Sequence, residues 1–245
     1  MQKDIWENEY RKQKLVSMSE EPQASVKDFL RWLRKGEEKS KPPRQPVSLE
    51  NINVLDLGCG TGKNARHIAG LDAGNKITGI EISETALRYA RERDLLNPEP
   101  SKQITYVHQS IGEQFPFIDT AFDLAFDVTS SNSLDEKERA VFLSETHRVL
   151  KPGAYLFVRA LCKDADKNAQ YLLKHNPGPE KDTYIMPDLG LTERVFSRDD
   201  FIQTYSGATI GKPLFTLLHL EKETHYSKVA DRLYKRNFWV AYLQK

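Results

Sequence analysis

The chain has 245 residues, 39% of them hydrophobic and 29% charged, which suits one soluble domain with a substantial core. A formal net charge of +1 supplies no overall attraction to nucleic acid or anionic lipid, and the two cysteines, Cys59 and Cys162, read as free thiols of a reducing compartment. The charged N-terminus holds no signal-peptide core and no stretch is long enough to cross a bilayer, so the expected address is cytoplasmic, without a membrane partner.

Residues 3–14 are expected to form a short helix carrying Trp6 and Tyr10, with Leu15 just beyond it. Val26, Phe29, Leu30 and Leu33 recur at i, i+3, i+4 and i+7, which predicts an amphipathic helix over 22–35, entered at Pro22 and ended by Gly36. The following GEEKSKPPRQP reads as a connector. It sets off residues 1–45 as an N-terminal helical appendage and leaves 46–245 as the main domain. From Asn53 onward, short apolar strands alternate with helices: NVLDLG with GKNARHIAGL, ITGIEIS with SETALRYARERDLL, then ITYVHQ, AFDLAFDV with a helix over about 135–149, and AYLFVRAL. That alternation predicts βαβ units and a parallel sheet covered by helices on both faces.

The pattern breaks at 161–196, a polar stretch with three prolines and one helix near 164–174. It is too long for a simple connection and is expected to be a substrate-side insertion. Ser197 is expected to cap the next helix. LFTLLHLEKE and NFWVAYLQK then form a terminal strand pair around YSKVADRLYKR, read as a loop or hairpin.

The chemistry-bearing motif is Asp56-Leu57-Gly58-Cys59-Gly60-Thr61-Gly62, which follows the first strand and opens a helix. Glycines there let a backbone approach a ligand closely. The spacing is neither a P-loop nor the dinucleotide G-x-G-x-x-G. Asp56 would repel a pyrophosphate and suits a cationic or amine-bearing ligand.

VLDLGCGTGKNARHIA closely resembles the first motif of the class I S-adenosylmethionine-dependent methyltransferases, especially the type 11 methyltransferase group. The resemblance implies a three-layer α/β Rossmann-like fold with a mostly parallel seven-stranded sheet and an antiparallel last strand. It also implies S-adenosylmethionine as cofactor. On this reading Asp56 sits near the cofactor's amino group or orders the loop, and Gly58, Cys59, Gly60 and Gly62 line it. Glu81 takes the ribose hydroxyls and Ile82 packs on adenine. Relatives often carry an Asp after the third strand, where this chain has Ile111 beside Ser110; both are expected at the adenine.

Strand four ends at Asp127-Val128-Thr129-Ser130, where ligands of open parallel sheets gather. Asp127 is therefore the candidate catalytic or substrate-orienting residue, with Ser130 near the acceptor. Strand five ends in Arg159-Ala160 and brings no second acid, so no metal site is expected. His67, His147 and His219 lack zinc-ligand spacing. Arg194 is a candidate for an acidic substrate group, and Trp6 and Tyr10 for a lid, with 1–15 and 161–196 together forming a mobile cover. The expected activity is N- or O-methylation of a small molecule by a monomer or homodimer. The alternatives are an RNA or protein acceptor, suggested by Arg232, Lys235 and Arg236 among aromatic residues, and a non-catalytic cofactor- or partner-binding protein.

Overall fold

The computed structural model describes residues 2–13, 18–36, 44–187, 189–207, 214–229 and 232–245, without the side chains of 227–229 and 232–234. Leu15, most of the 36–46 connector and the hairpin tip at 230–231 lie outside the described residues. Two helices, α1 (Gln2–Lys12) and α2 (Ala24–Lys35), precede β1 (Asn53–Leu57), α3 (Lys63–Ala69), β2 (Lys76–Glu81) and α4 (Glu84–Asp94). A single turn, α5 (Pro98–Ser101), leads to β3 (Ile104–His108), β4 (Phe122–Val128), α6 (Glu136–Val149) and β5 (Leu150–Cys162). Beyond β5 come α7 (Lys167–His175), β6 (Thr183–Ile185), β7 (Thr192–Arg194), α8 (Arg198–Ser206) and the pair β8 (Thr216–Val229) and β9 (Arg232–Gln244).

Seven strands form one sheet in the order β3-β2-β1-β4-β5-β9-β8. Neighbours from β3 to β5 are parallel, and β9 runs antiparallel to both β5 and β8. The expected mostly parallel sheet with an antiparallel last strand is therefore present. Chain order reverses between β1 and β4, and that switch point opens a crevice at the carboxyl ends of β1, β2 and β4.

Local chemistry sets the helix starts. Ser83 accepts from Ala86 N at 3.1 Å, Asp166 from Ala169 N at 2.9 Å and Ser197 from Asp200 N at 3.2 Å. Before α6 the cap is Asp135, in a reciprocal capping box with Glu138, just after a 3-10 turn over Ser131–Ser133.

Each face of the sheet carries its own core. Leu55, Leu57, Ala125, Leu156 and Val158 pack with Phe142 of α6 and Phe201 of α8. On the other face Val54, Phe126, Phe157 and Tyr242 meet Ala65 and Ile68 of α3 and the apolar stripe of α2. Phe29 is fully buried, 4.7 Å from the Tyr242 ring and 5.4 Å from that of Phe157. The boundary drawn at residue 45 thus runs through a shared core: α2 is part of the sheet's packing, and α1 alone lies apart from that core.

The terminal hairpin is longer than expected. Pairing runs from Thr216↔Gln244 to Val229↔Arg232, with one irregularity between Leu217 and His219, so the described part of YSKVADRLYKR is strand. The 161–196 segment adds the small β6–β7 sheet to its helix, and it is firmly attached. Asp166 Oδ2 accepts Asn237 N at 2.6 Å, Phe196 O accepts Trp239 Nε1 at 3.0 Å, and Leu161, Ala169, Tyr184, Val195 and Phe238 share a satellite core.

Candidate active site

A cleft of about 290 Å3 lies at the switch point. Its floor is the turn after β1. Gly58 and Gly60 have φ of 71° and 55°, a region costly to other residues. A Cβ on Gly58 would overlap the Ser130 side chain, and one on Gly60 would lie 2.6 Å from Tyr10 Oη. The glycines thus let the loop after β4 and the first helix close over the turn. Thr129, on the same wall, is held at φ 60°, unusual for a β-branched residue and typical of a constrained functional turn.

Of the residues expected at the cofactor, Gly58, Cys59, Gly60, Glu81, Ile82, Ser110 and Ile111 line this cleft, as do Trp6, Tyr10 and Ser130. Glu81 ends β2 with both carboxylate oxygens engaged: Gly60 N donates to Oε2 at 2.9 Å and Ser83 N to Oε1 at 2.8 Å. Burial raises its pKa. Asp56 lies beneath the wall, buried, and its Oδ2 has no hydrogen-bond partner. Burial, and then the Glu81 and Asp127 carboxylates, push it up to about 7. Glu81 on the wall and Asp56 and Asp127 behind it thus converge on the cleft, a field that favours a cationic ligand and opposes a polyphosphate.

Besides Asp56, three expected site residues lie outside the cleft lining. Asp127 does not reach the cleft. Its Oδ1 accepts Ser130 N and Ser131 N, each at 3.1 Å, and its Oδ2 accepts Ser131 Oγ, which also meets Tyr205 Oη at 3.0 Å. Burial pushes Asp127 up to about 6 against the pull of those hydrogen bonds. It scaffolds the loop after β4. Arg194 is likewise committed, its Nη2 donating to both Asp200 oxygens at 3.0 and 2.9 Å. Gly62 faces Tyr106 Oη and the Arg66 guanidinium rather than the cleft.

The wall also includes Gln2, Thr61, Lys63, Asn64, Thr129 and Glu138, which the sequence reading did not single out. Thr61 lies within the glycine motif and Lys63 and Asn64 immediately continue it, and that adjacency was the available signal. Gln2 belongs to α1, whose docking explains the shape of the cleft. Glu7 inserts its carboxylate at the start of α4. Oε2 accepts Ser83 Oγ at 2.8 Å and Thr85 N at 3.1 Å, while Oε1 accepts Thr85 Oγ1 at 2.6 Å. Burial raises the Glu7 pKa, but these hydrogen bonds and Arg11 outweigh it and hold the group down to about 2. No described residue of 161–196 lines the cleft, whereas Gln2, Trp6 and Tyr10 of α1 do. Among the described residues no cluster of His, Cys, Asp and Glu could hold a metal ion.

Residues 54–153 match the family model described as a methyltransferase domain. An O-methyltransferase of Aspergillus sclerotiorum is 34% identical over 128 residues, 52% of this chain and 43% of that protein. The 2-methyl-6-phytyl-1,4-hydroquinone methyltransferase of Synechocystis is 37% identical over 105 residues, 43% of this chain and 30% of that protein. The matches thus span half or less of these relatives' length. Among solved structures, a methyltransferase of Methanosarcina mazei superposes with TM-score 0.66 at 23% identity over 81% of this chain and 94% of that one. The Burkholderia thailandensis 1,6-didemethyltoxoflavin-N1-methyltransferase superposes with TM-score 0.63 at 13% identity, covering 99% and 86%; both share the fold. Residues 54–153 are thus a methyltransferase domain, and with the glycine motif and the strand order these matches support a class I S-adenosylmethionine-dependent methyltransferase of the type 11 group.

Proposed function

We propose that the protein transfers the methyl group of S-adenosylmethionine to an oxygen or nitrogen of a small-molecule acceptor. The observation that carries this reading is the cleft itself: a glycine turn and the Glu81 carboxylate under a helix that supplies Trp6 and Tyr10, with a buried, partnerless Asp56 oxygen beneath the wall. When bound, the cofactor supplies an electrophilic methyl group on a sulfonium. Asp56 suits its ammonium, Glu81 its ribose hydroxyls, and Ile82, Ser110 and Ile111 its adenine. Asp127 acts indirectly, holding Ser130 and Ser131 in place. Trp6 and Tyr10 exclude water, and the loop Thr129–Ser130 aligns the acceptor. Alignment and desolvation contribute most of what methyl transfer requires of a protein.

An O-methyltransferase among the relatives and a small-molecule N-methyltransferase among the structural neighbours support an acceptor of this class. The RNA alternative loses its central cation. Arg236 Nη2 donates to Glu193 Oε2 at 2.9 Å and to Tyr184 Oη, inside the 161–196 segment. We further propose residues 2–12 as the cover, the 161–196 segment as a fixed platform behind the acceptor side, and the cytoplasm as the location. Both cysteines are buried free thiols, and no described helix is long and apolar enough to cross a membrane.

Incubation with methyl-labelled S-adenosylmethionine and a panel of phenolic and amine metabolites should label a small molecule. Label recovered only in RNA or protein, or calorimetric preference for NAD or ATP over S-adenosylhomocysteine, would refute the proposal.

A further inference from the structure

The charged groups on the cleft wall are unequal. They are Glu81, Glu138 and Lys63. Glu81 is engaged by Gly60 N and Ser83 N, and Glu138 Oε2 accepts Asp135 N at 2.9 Å in the capping box of α6. Lys63 is the one wall cation among the described residues, and its ammonium has no hydrogen bond or ion pair there. Its charge is felt at a distance by Glu20 and Asp56 and opposed by Arg159 and Arg93, while burial lowers its pKa. A partly buried ammonium without a partner is costly unless something of opposite charge completes it.

Two directions are open to this side chain. Lys63 also borders an outer groove with Glu20, Arg66 and Arg93. The one carboxylate of that groove is already taken: Glu20 sits 2.7 Å from Arg66 Nη2 and 2.5 Å from Arg93 Nε. A third cation gains little there and meets two like charges. The cleft side offers the reverse, a space floored by acids in which an incoming anion would find Lys63 as its sole cation.

We infer that Lys63 anchors the carboxylate of the cofactor's methionyl group and makes the site discriminate against adenosyl ligands that lack it. The inference rests on the cofactor reading above. The amino-acid end of that cofactor carries an ammonium and a carboxylate a few bonds apart. The glycine turn is bracketed by matching groups, the partnerless oxygen of Asp56 before it and the unpaired ammonium of Lys63 after it. Lys63 is thus a binding and specificity residue, with no part in the chemistry at the methyl group.

Calorimetry with two ligands separates the outcomes. S-adenosylhomocysteine carries the amino-acid group, and 5′-methylthioadenosine lacks it. Lys63→Gln should weaken S-adenosylhomocysteine about ten- to a hundred-fold, the range of a lost charge-assisted bond. It should leave 5′-methylthioadenosine within about twofold of the parent, and Lys63→Arg should recover most of the loss. Unchanged S-adenosylhomocysteine binding in Lys63→Gln overturns the assignment. So does an equal loss for both ligands, which would make Lys63 a prop for the cleft. A parent protein that binds neither ligand overturns the cofactor reading itself, and that result appears before any substitution is made.

Discussion

Asp56 is the most informative single residue, because its environment makes a pH prediction with a definite sign. Held up to about 7 by burial and neighbouring carboxylates, it is largely protonated at pH 5 in the free protein. The folded pKa exceeds the unfolded one, so this group's contribution to stability is greatest at low pH and declines as pH rises from about 4 to 7. A cationic ligand beside it favours the carboxylate and lowers that pKa. Binding should then release protons below about pH 7, and affinity for S-adenosylhomocysteine should climb between pH 5 and 7 and level off above. Calorimetry in buffers of different ionisation enthalpy reads the proton release; Asp56→Asn should abolish most of it, and an affinity that falls with pH would contradict the assignment. Glu81→Ala should cost about 1.5–3 kcal/mol of cofactor binding, roughly ten- to a hundred-fold, measured by titration on protein shown to be folded. Part of that loss belongs to the Gly60 amide, which also loses its acceptor.

Between elements, one carboxylate, that of Glu7, makes three of the hydrogen bonds that dock α1 on α4. Glu7→Ala removes three hydrogen-bond acceptances at Ser83 and Thr85 and should weaken the docking by about 1–3 kcal/mol. Hydrogen exchange across residues 2–12 should quicken while α2 stays protected, and cofactor should dissociate faster. Phe29→Ala should behave oppositely, lowering global stability by about 3–5 kcal/mol in denaturant unfolding, because α2 is core. The helices and strands from α2 to β5 were readable from the sequence, apart from the short α5, since the i, i+3, i+4, i+7 stripe of α2 and the apolar runs of β1, β4 and β5 are local signals; the short β6 and β7 were not. Partner choice was not readable. Nothing in the spacing of Phe29 says that it meets Tyr242, and an apolar helix behind a Pro-rich connector looks detachable when its partner lies at the other end of the sheet. The same limit explains Asp127 and Arg194. Their residue types suited catalysis and binding, but Ser131, Tyr205 and Asp200 hold the groups around them away from the cleft. The glycine turn and Glu81 were legible because their roles depend on position along a βα unit rather than on distant contacts.

For the molecule as a whole, the 161–196 segment should behave as part of the rigid body. Tied to β9 through Asp166, Trp239 and Arg236, its amide exchange should stay slow with or without S-adenosylmethionine, whereas protection in α1 should rise on saturation. Equal slowing in both segments would restore a two-part cover. The packing of α2 also has a bearing on synthesis. Val26, Phe29, Leu30 and Leu33 leave the ribosome early, yet Phe157, Val240 and Tyr242, which cover them, are made much later, the last two in the final described strand. Val54, Ala65, Ile68 and Phe126 can meet that apolar stripe sooner, but until β9 is made its cover is incomplete, and closing the loop to β9 is entropically slow. The nascent chain should therefore carry an adhesive helix ahead of an unfinished sheet. Chaperone occupancy during synthesis, and aggregation of chains stalled before β9, should both concentrate on residues 24–35.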